Sequence, residues 1–258
     1  PFIDTVEKLT YPWEKIAFPS ITYAVLISGG IDPDWAFDRY WNDMKYMYQI
    51  LTNSYGYNPE NIIVIYKDGV AEDTDMPVDF SATTTNVNTV FNQLAQNLTA
   101  SDSLFIYTNN HGAGFWPTDP DGYYLYGGSV DSDGDEPESG YSEATYNIDI
   151  NGDGDKVDTV GIDETLCLYY NQAITDDDLA NLIDNIECDH MIIFMEQCFS
   201  GGFIHELSGP NRIILTACGE EEPSWAHPPA YNYNEFSLYF MTVSYTHLRA
   251  HETVLDLV

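Results

Sequence analysis

Two stretches, DSLFIYTNNHG at residues 102–112 and HMIIFMEQCFSGG at residues 190–202, decide how this chain reads. Each holds a short run of β-branched, aromatic and aliphatic residues bounded by turn formers, which is the pattern of a buried strand. Neither run alternates polar with apolar, so both faces are expected to be covered, as in a parallel sheet between layers of helices. Each run also ends on a side chain with chemistry: His111 after the first and Cys198 after the second. In an open parallel sheet the carboxyl ends of neighbouring strands lie together, and ligands bind at that edge. The two runs therefore predict a site where a thiol and an imidazole meet.

Working outward, further strands are expected at 21–27 (ITYAVLI, closed by Gly29-Gly30), 61–66 (NIIVIY) and 212–216 (RIILT). Helical spacing runs from Asp34 to Tyr55, with Trp35, Tyr40, Trp41, Met44, Met47, Tyr48 and Leu51 on one face, and Gly56 and Pro59 stop it. A second helix is expected over Ser81–Leu98, with Val87, Val90, Phe91, Leu94 and Leu98 inward. A third begins at Thr175 as N-cap, with Asp176, Asp177 and Asp178 in its first turn. Alternation of this kind predicts an α/β fold, a mostly parallel sheet with helices on both faces. Residues 113–170, rich in Gly, Asp, Tyr and Pro and without helical period, read as a long acidic insertion.

The expected organisation is thus an extension at 1–20, a domain over 21–243 with its insertion at 113–170, and a tail at 244–258. The tail, SYTHLRAHETVLDLV, resembles translated sequencing-adapter readthrough and is expected to be non-native. The chain starts at Pro1, so a processed or incomplete N-terminus is expected.

Hydrophobic residues make up 44% of the 258, a globular proportion. Forty-two acids against 8 Lys and Arg give a net charge of −34, which excludes nucleic acid as a partner because phosphate would be repelled. No apolar run approaches the roughly 18–20 residues of a membrane span. Cys167, Cys188, Cys198 and Cys218 form no CxxC pair, so zinc is not expected. Oligomeric state leaves no trace in the sequence, and the expected setting is extracytoplasmic or secreted.

Around Cys198, the Ser200-Gly201-Gly202 run permits close backbone approach and a turn into a helix. Backbone N–H groups of Gly112 and Cys198 are placed to form an oxyanion hole, each donor lowering a barrier by about 3–4 kcal/mol. Cys218 is the rival nucleophile but lacks such a glycine turn; Cys167 and Cys188 read as small buried hydrophobes.

These blocks resemble the legumain (asparaginyl endopeptidase) family, within the caspase-like cysteine-protease clan. DSLFIYTNNHGAGF is similar to the family's His–Gly block and MIIFMEQCFSGG to its Glu-x-Cys-x-Ser-Gly block. The likeness extends through WAFDRYWNDMKYMYQILTNSYGYNPENIIVIY and RIILTACGEEEPSWA, covering roughly 21–112 and 175–240. It implies cleavage of peptide or protein substrates through a Cys198 thioester, with His111 protonating the leaving amine. It also implies a pocket for the residue before the cut, built from Arg39, Glu196, Ser224 and Glu235, which would hold an Asn or Asp side chain. Glu235 stands where the family usually has Asp. The family's Asn that orients the catalytic His falls at Phe37, leaving Asn109 or Asn110 for that task. Two alternatives share the scaffold: a peptide ligase on the same acyl-enzyme, and a non-catalytic calcium-dependent binding module.

The insertion carries its own signal. Asp149-x-Asn151-x-Asp153-Gly154-Asp155 sets oxygen donors at positions 1, 3, 5 and 7 of a calcium loop, with Gly at 6. Position 12 is Val160, so Asp158 or Asp163 is expected to replace the usual Glu. A shorter cluster, Asp131, Asp133 and Asp135, is a second candidate. Oxygen-only donors fit Ca²⁺ better than zinc, and the ion is expected to order the insertion rather than join the chemistry.

Overall fold

The structure, a computed structural model, describes residues 20–119, 121–122, 125–131, 134 and 140–243. The tail at 244–258 and all but the last residue of the 1–20 extension lie outside the described residues, as do Asp133 and Asp135. Among the described residues no helix is long and apolar enough to cross a membrane.

The main elements in chain order are β1 (Thr22–Ser28), α1 (Asp38–Asn53), β2 (Ile62–Tyr66), α2 (Thr84–Asn97), β3 (Ser103–Asn109) and β4 (Gly112–Phe115). After them come β5 (Thr165–Cys167), β6 (Ala173–Thr175), α3 (Asp176–Ile183), β7 (His190–Met195), α4 (Phe203–Leu207) and β8 (Arg212–Thr216). A last helix covers 235–243. Strands β8, β7, β3, β1 and β2, in that order, form one sheet in which every pairing is parallel.

Strand periodicity of two sends alternate side chains to opposite faces, and both faces are dry. Val25, Ile27, Leu104, Ile106, Met191, Ile193 and Met195 face Val90, Phe91 and Leu94 of α2, Leu179 and Ile183 of α3, and Phe203 of α4. Ala24, Leu26, Phe105, Tyr107 and Phe194 face Trp41, Met44, Met47 and Leu51 of α1. Phe194 stacks on Phe236 of the last helix at 4.7 Å and 14°. Burying one such ring is worth about 1.5–3 kcal/mol, which is what fastens that helix to the sheet.

The first helix starts later than its apolar spacing predicts. Asp32 accepts from the N–H groups of Asp34 (2.8 Å) and Trp35 (3.2 Å), a local turn that satisfies donors a helix would otherwise claim. Phe37 is then the extended residue before Asp38, and Trp35 stays off the helix, half exposed.

Segment 113–170 is not structureless. Its first strand, β4, pairs antiparallel with β5 and with Leu125–Tyr126, and β5 pairs with β6. Leu166, Leu168 and Tyr169 enter the main core, while Phe115, Tyr141, Ile150, Val160 and Ile162 build a small core of their own. Strands of two or three residues carry no readable period, which is why composition alone suggested loop.

Candidate active site

The sheet register brings the two reactive side chains to one level. Thr108 of β3 pairs with Met195 of β7, and His111 and Cys198 each lie three residues further on. Both line one cleft of about 710 Å³ at the carboxyl edge of the sheet, with Trp35, Trp116, Tyr126 and Trp225 among its walls.

His111 is held by its backbone and by its ring. Asn110, at φ 125°, reverses the chain between β3 and β4, and its side-chain amide donates to the Cys167 carbonyl at 3.1 Å. The Cys167 N–H donates back to the His111 carbonyl at 3.0 Å. The imidazole sits edge-on to Trp35 (5.6 Å), Phe37 (5.7 Å) and Tyr40 (5.4 Å). Its Nε2 lies 3.1 Å from the Trp35 carbonyl and 3.1 Å from the Tyr40 hydroxyl. A carbonyl only accepts, so Nε2 carries the proton in that bond and Nδ1 is left as the base. Burial pushes the His111 pKa down to about 4, and the Arg39 charge acts in the same direction against the Trp35 carbonyl.

Cys198 sits in the turn that leaves β7. Its Sγ accepts from the Ser224 N–H at 3.3 Å and lies 3.7 Å from the Ser224 hydroxyl. Burial raises the thiol pKa, and the N–H groups of Ser224, Gly112 and Cys198 itself work against that rise. The Gly112 and Cys198 N–H groups thus lie beside Sγ, next to which an oxyanion would form on an attacked carbonyl. Gly112 is dictated by contact: a Cβ there would overlap the Cys198 carbonyl. Both shifts favour the uncharged forms, a thiol and a neutral imidazole. A second thiol, Cys167, also lines the cleft, and burial pushes it up to about 12.

The four residues expected to form the pocket are dispersed around this centre. Ser224 touches Sγ. Arg39 lies over the rings of Phe37 (4.2 Å) and Tyr40 (4.6 Å), donating from Nε to the Asn234 side-chain oxygen at 3.1 Å and from Nη2 to the Tyr40 hydroxyl at 2.9 Å. Glu196 is fully buried, one of its oxygens accepting from the Ser237 N–H at 2.6 Å and from the Ser237 hydroxyl. Burial raises its pKa to about 8. Glu235 is half-buried and donates its N–H to the Trp225 carbonyl at 2.9 Å. Arg39, Glu196, Ser224 and Glu235 are all absent from the described lining of the cleft, which holds Trp35, Trp116, Tyr126, Phe199 and Trp225 among smaller side chains.

Neither Asn109 nor Asn110 is bonded to the imidazole. Asn109 donates to Asp43 at 3.3 Å and accepts from Asn234 at 3.1 Å, while Asn110 is committed to Cys167. The Trp35 carbonyl and Tyr40 hydroxyl take the orienting position instead, and the Phe37 ring supplies packing. Sequence reading missed this role for Tyr40, and it also missed the buried Asp43, which accepts from Asn109 and from the Asn234 N–H. The available signal was Asp43 itself, an acid within the apolar stripe of α1.

In the acidic segment, Asp149 accepts from the N–H groups of Gly152 (2.7 Å) and Gly154 (3.0 Å), Asn151 from Asp153 (3.0 Å), and Asp153 from Asp155 (3.0 Å). Of the two acids expected to close the loop, Asp158 lies with Asp155 and Glu143 in one carboxylate group, and Asp163 is not in it. Asp131 accepts from the Gly134 N–H at 2.7 Å.

A family model described as "Peptidase C13 family" matches residues 157–256, a span that holds Cys198 but not His111. The chain is similar to Metacaspase-4 of Arabidopsis thaliana, 26% identical over 167 residues, which is 64% of this chain and 30% of that protein. The chain thus spans about a third of the length of that curated relative. Among solved structures, protein GSU0716 from Geobacter sulfurreducens superposes with a TM-score of 0.54 at 14% identity, over 88% of this chain and 83% of that one. That likeness bears on the fold, a parallel five-stranded sheet flanked by helices and consistent with a caspase-like arrangement. Both sequence matches point to a cysteine-type peptidase of the caspase-like clan.

Proposed function

We propose that this chain is a cysteine endopeptidase that works through a Cys198 thioester. The observation that carries the reading is the meeting of the Cys198 thiol, the His111 imidazole and the Gly112 N–H at one cleft, three residues beyond a registered strand pair. As Sγ bonds to the scissile carbonyl carbon, its proton passes to Nδ1 of His111 and the Gly112 and Cys198 N–H groups bind the oxyanion. The C–N bond then breaks, the proton moves from His111 to the departing amine, and the acyl group stays on sulfur. Water, deprotonated by His111, releases the acid and frees the thiol.

This reading assigns a preference for Asn or Asp before the cut to Arg39, a half-buried cation whose charge reaches His111 although it lies outside the described lining of the cleft. Release of fluorophore from peptides ending in Asn, Asp, Leu or Arg tests both readings. Cys198→Ala should abolish cleavage of every peptide, and Arg39→Ala should lower kcat/KM for the Asn and Asp peptides at least tenfold. Undiminished cleavage by Cys198→Ala would falsify the mechanism. A product bearing an added amine nucleophile, seen by mass, would make the chain a ligase on the same intermediate. The same reading gives the 149–155 loop a calcium ion that orders the acidic segment, and it fits an extracytoplasmic setting where calcium is abundant.

A further inference from the structure

The loop at 149–155 keeps calcium-loop spacing through its seventh position and then departs from it, since Val160 stands where a bidentate carboxylate closes such loops. Gly152 and Gly154, at φ 76° and 103°, curl the backbone. Carboxylate oxygens of Asp155, Asp158 and Glu143 lie within 4.8 Å of one another. Exposed Asp residues gathered in a loop are ordinarily just solvated, and Asp155 and Asp158 alone would mean little. Glu143 differs. It lies six residues upstream of the loop, at the start of the short helix Glu143–Tyr146, and it is 0% exposed. One of its oxygens accepts from the N–H groups of Ile150 (2.6 Å) and Asn151 (3.2 Å), which pins the carboxylate under the loop. The other, Oε2, is buried with no hydrogen-bond partner. An acceptor left bare in the interior costs on the order of 1–3 kcal/mol, more if charged, and a bound cation would remove that cost.

We infer that Glu143 supplies, from upstream, the closing carboxylate of a calcium site completed by Asp155 and Asp158 on the 149–158 loop. The inference rests on the calcium reading of this loop and names its decisive ligand. The donors are hard oxygens without nitrogen or sulfur, and two of the three acids sit on an exposed loop able to adjust to a coordination number of six to eight. Both traits select Ca²⁺ over Zn²⁺ and over the rigid octahedron of Mg²⁺. Binding would tie the Glu143–Tyr146 turn to the loop. Tyr141 and Tyr146, on either side of Glu143, donate to Glu220 (2.7 Å) and Glu221 (3.3 Å), just ahead of Ser224 at the nucleophile.

The test uses the whole chain, stripped with chelator and titrated with CaCl₂ by calorimetry and with Tb³⁺ by luminescence. Glu143→Gln and Asp158→Asn should each weaken binding at least tenfold, and Glu60→Gln, an exposed acid elsewhere, should leave it unchanged. Glu143→Gln binding as tightly as the native chain would overturn the Glu143 assignment and leave the calcium reading intact. No binding by the native chain at millimolar Ca²⁺ would sink both. Should Glu143→Gln fail to fold, Tb³⁺ anomalous scattering from native crystals decides: a peak about 2.3–2.6 Å from the Glu143 carboxylate is expected. A peak seated on the loop without Glu143 would overturn the assignment.

Discussion

Gly112 carries more of the site than its size suggests. A side chain there would have to displace the Cys198 carbonyl, and with it both the nucleophile's turn and an oxyanion donor. Gly112→Ala is expected to cut kcat/KM by a hundredfold or more while costing only about 1–3 kcal/mol of stability, from kinetics and urea melts on one preparation. The ionisation of Cys198 and His111 gives a second expectation. The thiol is raised by burial and the imidazole is lowered to about 4, so neither is charged near neutrality. Alkylation of Cys198 by iodoacetamide should therefore keep accelerating up to and beyond pH 9, with no plateau between pH 5 and 7. An imidazolium–thiolate pair would give that early plateau.

Between elements, one proton-sensitive contact joins the end of β7 to the helix at 235–243 through Glu196 and Ser237. Glu196 titrates at about 8 in the fold against an ordinary 4.5. The folded state thus keeps a proton that the unfolded chain gives up. The resulting stabilisation is whole below about pH 4.5 and drains away as pH rises to about 8, a change of a few kcal/mol. Glu196→Gln, which cannot ionise, should flatten the fall in melting temperature over that range. An unchanged slope would show that this carboxyl is not the one titrating. Elements were legible in proportion to their local pattern. The five sheet strands and α2 follow from apolar runs and spacing because those signals lie within each segment. The start of α1 did not, since a single Asp32 turn outweighs the apolar spacing. The Asp43–Asn109–Asn234 cluster was invisible because Asn234 meets Asp43 from 191 residues away, and no periodicity records such a meeting.

Across the whole molecule the dominant fact is charge. With a net charge of −34 on 258 residues, self-repulsion opposes the compact state and is screened within about 10 Å at 0.1 M salt. Melting temperature in the absence of calcium should climb by several degrees between 10 mM and 500 mM NaCl. A flat response would show that repulsion among the acids does not limit stability.

The adjacency of β3 and β7 has a bearing on how the protein is made. Residues paired across those strands are 87 apart in the chain. During synthesis His111 leaves the ribosome before Cys198, and the cleft they share does not exist until the later strand has docked beside the earlier one. On the proposed function, activity would arrive only once β7 has docked beside β3, so the order of synthesis would set its timing.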